Sequence, residues 1–306
     1  MADTAVLVMA YGTPAGLDDV EAYYTHIRRG RAPTPELLAD LVRRYQAIGG
    51  VSPLREITER QAAGLQVQLD HREAGRFAVF LGMKHASPFI EDAAERILAS
   101  GHDDIVGLVL APHHSGLSVG QYHERARAAL GDDVRFRGVE SWYRHPDYVA
   151  YLSDEIAAAI ERVPEPGRGR THVLFTSHSL PSRIVEAGDT YPMQLRETAE
   201  LVSDRLDLQR RSIAWQSAGR TPDPWLGPDI LEVLPALADP HGMEAVVVCP
   251  CGFVADHLEV LYDIDIEAHQ VAAEHGLELQ RTAMPNDDPR LLSLLADVVI
   301  EHASQR

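Results

Sequence analysis

Val6-Leu-Val-Met-Ala-Tyr-Gly-Thr-Pro14 and Val173-Leu-Phe-Thr-Ser-His-Ser-Leu-Pro181 follow one pattern: a short apolar run, a polar ring at Tyr11 or His178, and a turn ending in proline. Runs this short and this continuously apolar suit parallel strands covered by helices on both faces. Working outward, Phe77–Gly82 lines up with Ile213–Ser217, and Val109-Leu-Ala-Pro-His-His114 with Val247-Val-Cys-Pro-Cys-Gly252. Three matching strand ends in one order point to an internal duplication. Strands at Val6–Met9, Phe77–Leu81, Ile105–Leu110, Val173–Phe175, Ile213–Trp215 and Ala245–Val248 alternate with longer helical patterns, which reads as right-handed βαβ units. The expected architecture is α/β: two similar doubly wound parallel-sheet domains, residues 1–142 and 143–286, facing each other across a cleft. Arg162–Arg170, rich in Pro and Gly, makes an exposed connection before the second domain's first strand. A last helix within residues 287–306 carries Leu291, Leu294, Leu295, Val298 and Val299 at helical spacing and is expected to pack back on the first domain.

At 306 residues, with 45% hydrophobic and 24% charged residues, the composition is that of a globular chain and excludes disordered, collagenous and coiled-coil classes. The net charge of −18 argues against general binding to nucleic acid or to an anionic lipid surface. Lys84 is the sole lysine, so nearly all positive charge is guanidinium, suited to bidentate carboxylate contacts. No uncharged apolar run reaches the roughly 18 residues a membrane span needs, and Met1-Ala2-Asp3 lacks the basic start of a signal peptide, so a cytoplasmic location is expected. Cys249 and Cys251 supply neither a disulfide framework nor an all-cysteine metal cluster. There is no phosphate-binding P-loop, no G-x-G-x-x-G after the first strand and no G-x-S-x-G elbow, which removes support for nucleotide binding and serine hydrolysis.

In open parallel sheets ligands sit beyond the carboxyl ends of the strands. Tyr11 and His178 occupy those ends in the two halves, and facing domains bring a phenol and an imidazole to opposite walls, a pairing suited to metal or proton handling. In Gly252–Glu267, a helix would put Asp256, Glu259, Asp263 and Glu267 on one acidic face, either a solvated surface or a carboxylate track for a divalent cation. Between Tyr23 and Arg55, six arginines (Arg28, Arg29, Arg31, Arg43, Arg44, Arg55) outnumber Glu36 and Asp40. This reversal of sign beside Tyr23 and Tyr24 fits a flat aromatic ligand bearing carboxylates, or a solvent-exposed helix–loop–helix. Ser52 in the following turn adds a donor, while His85, His113, His114 and Tyr122 lie beyond other strands without a recognised zinc spacing.

The blocks VLVMAYGTP from Val6, YYTHIRRGR from Tyr23, RYQAIGGVSPL from Arg44, SHSLP from Ser177, WQSAGRTPDPWLGPD from Trp215 and GFVADHLEVLYDIDIEA from Gly252 together resemble the ferrochelatase family, in particular the coproporphyrin-type enzymes of Gram-positive bacteria. The resemblance implies a chelatase-like pair of Rossmann-like domains and a lyase reaction in which Fe²⁺ replaces two pyrrole protons of coproporphyrin III in heme biosynthesis. It implies His178 and Glu259 as the pair that binds iron and accepts protons, and Tyr11 as the contact to iron on the other face. Arg28, Arg44, Tyr45, Ser52 and Tyr122 match positions that hold the porphyrin and its propionates, and Asp263 and Glu267 continue the acidic helix, where an accessory ion such as Mg²⁺ is expected. No iron–sulfur cluster is expected. The arginine-rich lip favours coproporphyrin III over protoporphyrin IX in a monomer that does not insert into membranes, with a downstream coproheme decarboxylase as a transient partner. The alternatives are a chelatase for another tetrapyrrole or metal, and a non-catalytic tetrapyrrole or metal carrier.

Overall fold

The computed structural model describes residues 2–165, 167–219, 221–238 and 242–305; Pro166 of the expected connection, Arg220 of the Trp215–Asp229 block, Met1, Asp239, Pro240, His241 and Arg306 lie outside the described residues. The apolar runs become strands β1 (Thr4–Ala10), β2 (Phe77–Met83) and β3 (Asp104–Val109), with β4 (Arg135–Gly138) at the edge, then β5 (Thr171–His178), β6 (Arg211–Gln216), β7 (Ala245–Cys249) and a second edge strand, β8 (Glu278–Arg281). They form two parallel sheets of identical order, β2-β1-β3-β4 and β6-β5-β7-β8. In each sheet the first strand of the half sits centrally, and every residue of β1 is buried. The sequence reading missed β4 and β8. Both are four residues long and mostly polar, Arg135-Phe-Arg-Gly138 and Glu278-Leu-Gln-Arg281, and lie at sheet edges where charged side chains are tolerated, so neither makes a continuous apolar run.

Helices α1 (Val20–Ile27), α2 (Pro35–Ala47), α3 (Leu54–Arg72), α4 (Ile90–Ala99) and α5 (Val119–Leu130) accompany the first sheet. The second has α6 (Pro146–Arg162), α7 (Arg183–Glu186), α8 (Tyr191–Leu206), α9 (Ile230–Ala238), α10 (Leu258–Leu261) and α11 (His269–Glu274), and α12 (Pro289–Ser304) ends the fold. Asp288 caps α12 by accepting from the Arg290 amide at 2.7 Å, and Pro289 takes the first helical position, where a missing N–H costs nothing.

The two sheets share one hydrophobic core. Val6 and Val106 of the first sheet and Phe175 and Val247 of the second join the same buried cluster as Tyr148 and Ile156 of α6 and Leu291, Leu294, Leu295 and Val298 of α12. Helix α12 packs against α3, α6 and β3, so its apolar stripe is covered from both halves. Two separate clusters fill the outer faces, one under α4 and α5 and one under α9 and α11. Polar contacts also tie the halves: Ser115 Oγ donates to Asp189 at 2.7 Å, the His114 amide donates to Gln194 at 2.8 Å, and His113 Nε2 stands 2.8 Å from Thr198 Oγ1.

The loop leaving β7 is pressed onto β5. A Cβ at Gly252 would stand 1.9 Å from Ser177 Oγ and 2.6 Å from Ser177 Cβ, inside van der Waals contact with the strand that delivers His178. We expect Gly252→Ala to cost about 1–3 kcal/mol through overpacking, lowering the melting temperature by roughly 2–6 °C. Gly16→Ala, where nothing lies within 4 Å and the backbone is extended, leaves it unchanged. An equal effect of the two substitutions in calorimetry would remove the close-approach argument.

Candidate active site

The carboxyl ends of strands from both sheets open into one cavity of about 1080 Å³, at the large end of ligand pockets. β1 delivers Tyr11 and Thr13, β2 Lys84 and His85, β3 His113, β5 His178, β6 Ser217, and the segment after β7 delivers His257 and Glu259. Tyr11, Tyr45, Ser52, Tyr122, His178 and Glu259, six of the residues singled out from the sequence, all line it.

On one wall a carboxylate stands between two imidazoles. His178 Nδ1–H donates to the Ser179 carbonyl, which leaves Nε2 facing Glu259 Oε1 at 3.6 Å. His257 Nδ1–H donates to the Ala255 carbonyl at 2.9 Å, and its Nε2 faces Glu259 Oε2, also at 3.6 Å. Gln216 fixes the backbone beneath by donating to the Glu259 carbonyl at 3.1 Å, while Thr176 Oγ1 donates to the Gln216 oxygen at 2.8 Å. Tyr191 OH holds the His178 carbonyl at 3.0 Å. The sequence reading passed over His257. It stands at the N-cap of α10, two residues before Glu259, with extended backbone (φ −157°, ψ 178°).

Charge follows from this geometry. Burial opposes protonation of His178, but attraction and hydrogen bonding to Glu259, the Ser179 carbonyl and the Asp263 charge outweigh it, so the imidazole pKa is raised above its usual 6.5. Burial likewise opposes ionisation of Glu259, yet His178 and His257 overcome it and hold the carboxyl well below the usual carboxylate range. Each group thus favours the charged form of the other, imidazolium beside carboxylate, more than it would in water.

The opposite wall is phenolic. The Tyr11 ring lies 4.6 Å from His85, whose Nδ1 is 2.9 Å from His26 Nδ1. Tyr23 OH donates to the Gly12 carbonyl at 3.0 Å, and Tyr45 OH meets Thr13 Oγ1 at 3.2 Å. Burial, then the Glu259 charge, pushes the Tyr11 pKa up; burial raises Tyr45 to about 12, so both phenols stay neutral. Burial, then Lys84, lowers His85 to about 3, so it too is neutral.

Arg28, Arg44, Asp263 and Glu267, to which the resemblance gives a role, do not line the large cavity. Arg44 is committed to carboxylates, donating to Asp263 Oδ1 at 3.1 Å and standing 3.4 Å from Asp40, with its guanidinium 4.8 Å from the Tyr262 ring. With Asp263, Glu259 and Tyr24 it lines a neighbouring cavity of about 170 Å³. Glu267 sits 4.0 Å from Arg44, and Arg28 folds over Tyr24 and donates to the Arg31 carbonyl at 3.3 Å. Among the described residues, Arg29 and Arg125 are the arginines that line the large cavity.

The expected four-residue acidic face does not form as a single helix. Asp256 precedes α10 and instead pairs with Arg281 at 3.1 Å and accepts from Asn286 at 2.8 Å. After one α turn the chain widens into a π-type turn, Asp263–Ala268, with the Glu267 amide bonded to the Tyr262 carbonyl at 2.9 Å. Asp263 is thereby turned inward against Ser217 Oγ. Burial and repulsion by Glu259 lift its pKa to about 7 against the pull of Ser217 and Arg44.

The ferrochelatase family model matches residues 3–303. The chain is 46% identical over 300 residues to the coproporphyrin III ferrochelatase of Geobacillus kaustophilus, covering 97% of this chain and 95% of that protein. It is 44% identical over 298 residues to coproporphyrin III ferrochelatase 2 of Bacillus cereus, covering 96% and 92%. Among solved structures, SirB from Bacillus subtilis with Fe³⁺ superposes with a TM-score of 0.63 at 14% identity, over 99% of this chain and 96% of SirB. CbiX, described as the terminal enzyme for siroheme biosynthesis in denitrifying bacteria, gives 0.56 at 14% identity, over 99% and 100%. These last two likenesses are of fold.

A titration tests the electrostatics. By NMR the His178 imidazole should titrate above 6.5, and in Glu259→Gln, where burial loses its main opponent, at a lower pH than in the unsubstituted protein. An unchanged midpoint would show that Glu259 does not set the charge of His178.

Proposed function

The chain belongs to the ferrochelatase family, and from that membership we propose that it inserts Fe²⁺ into coproporphyrin III, a lyase-class reaction yielding Fe-coproporphyrin III for heme synthesis. The observation that carries this reading is the Glu259 carboxylate held between His178 and His257, across the cavity from Tyr11. In the reaction two pyrrole N–H bonds break, iron takes the place of two protons, and the protons need acceptors.

One carboxylate and two imidazoles make an oxygen-and-nitrogen donor set suited to a ferrous ion and also able to take up protons. We assign His178 and Glu259 to both tasks, with Tyr11 contacting iron from the other face. Cleft walls at fixed separation favour a bent ring, which exposes the in-plane nitrogen lone pairs to the metal on one side. Tyr45, Ser52 and Tyr122 offer donors to the macrocycle's rim. Arg28 and Arg44 are assigned to its propionates, and Arg44 would exchange Asp263 for a substrate carboxylate of the same charge. Asp263, with Glu267 nearby, is where we place an accessory divalent ion such as Mg²⁺. Both cysteines are buried, and we assign them no cluster. Among the described residues no helix is long and apolar enough to cross a membrane. We further take the chain to work as a cytoplasmic monomer that passes its product to a decarboxylase.

Anaerobic absorbance assays with Fe²⁺, offering coproporphyrin III and protoporphyrin IX at equal concentration, test the proposal. Faster multiple turnover of coproporphyrin supports it; equal or reversed preference discards the substrate assignment, and stoichiometric binding without insertion points to a carrier. His178→Ala should slow insertion by at least about 10²-fold while the porphyrin still binds, the scale of a lost general base. Normal turnover in that variant would remove His178 from the mechanism.

A further inference from the structure

Lys84 is the only lysine in 306 residues, and it lies in the wall of the large cavity. Its backbone is fixed by an amide hydrogen bond to the Ala10 carbonyl at 2.8 Å, and its Nζ donates to Gln121 Oε1 at 2.7 Å and stands 4.9 Å from the centre of the Tyr122 ring. Nearby Glu91 is taken by Arg125, which grips it with two bonds of 2.9 and 2.7 Å. Lys84 itself forms no ion pair among the described residues. A nearly buried amine whose partners are a neutral amide and a ring, beside Arg125 and Arg29, is a cation left without a counter-charge in a cavity open to small molecules.

We propose that Lys84 is an acylation site inside the cleft, taking an acyl group from small donors of the acyl-phosphate class, and that acylation and occupation of the cleft by a polycarboxylate macrocycle exclude each other. The exclusion rests on the porphyrin reading above; the acylation does not. The positive wall formed with Arg29 and Arg125 selects an anionic donor. The Nζ lone pair adds to the acyl carbon and forms an N–C bond. The C–O bond to phosphorus-bearing oxygen breaks, inorganic phosphate leaves with the electron pair, and the amine proton passes to water. Burial, with Arg125 and Arg29 close by, lowers the amine to about 8, so roughly a quarter is neutral at pH 7.5, against about 0.1% for an ordinary lysine. The product amide has lost the cation that a substrate carboxylate would meet on this wall.

The absence of other lysines makes the test direct. The full chain is treated with acetyl phosphate at pH 7.5, with and without coproporphyrin III, and followed by intact mass and peptide mapping, the α-amino group serving as an internal control. The expected result is acetylation at Lys84, slowed at least tenfold by bound porphyrin while the α-amino group reacts at an unchanged rate. In parallel, Lys84→Gln should raise KM for coproporphyrin several-fold more than kcat changes, and Lys84→Arg, which keeps the cation, should raise it less. A Lys84 that stays unmodified in the folded protein while the α-amino group reacts overturns the site and leaves the porphyrin reading standing. Equal acetylation with porphyrin shown by absorbance to be bound overturns the exclusion. Failure of coproporphyrin to bind at all overturns the porphyrin reading and the exclusion with it, and is recognised by its own absorbance signal.

Discussion

A single apolar core running through both halves is the constraint on which the rest depends. Each parallel sheet has two faces to hide; α3 and α12 cover one face of the first sheet, α6 and α8 one face of the second, and α12 packs on α6, so that residues of both halves join one buried cluster. Burial of Leu291, Leu294, Leu295 and Val298 between the halves is non-directional, yet it leaves little freedom for one sheet to turn against the other. The polar ties from Ser115, His114 and His113 to α8 and its approach add direction. The strand ends therefore meet across a cavity whose width is set by packing.

That fixed width gives the charged groups their meaning. Glu259 is stabilised as a carboxylate because two imidazoles, each oriented by a backbone carbonyl, aim Nε2 at its two oxygens. The opposite wall offers neutral phenols and a neutral imidazole. One wall thus holds a carboxylate between two imidazoles, while Tyr11, Tyr45 and His85 present uncharged rings to the same cavity. Outside the large cavity Asp263, Asp40 and Glu267 surround Arg44, where the π-type turn has turned one acidic side chain inward.

The same polarity runs through the surface chemistry. A chain of net charge −18 keeps a few cations in the cleft, among them Arg29, Arg125 and Lys84. Arginine stays charged wherever it is placed, whereas the buried lysine does not, which is why Lys84 differs chemically from the guanidiniums around it.

The sequence by itself determined the duplicated parallel sheets and the position of Tyr11 and His178 at equivalent strand ends, because strands covered on both faces are continuous apolar runs and their ends are marked by turns. It also singled out Glu259, Tyr45, Ser52 and Tyr122. The strands β4 and β8 escaped it because each is four residues long and mostly polar, with no apolar run to mark it. Only the tertiary structure decided that His257 joins Glu259, that Asp256 leaves the acidic series for Arg281, that Arg44 faces carboxylates in a side cavity and that Lys84 stands in the main one. Those outcomes depend on backbone geometry at one cap, on a π-type turn and on contacts between residues far apart in the chain, and local spacing contains none of these.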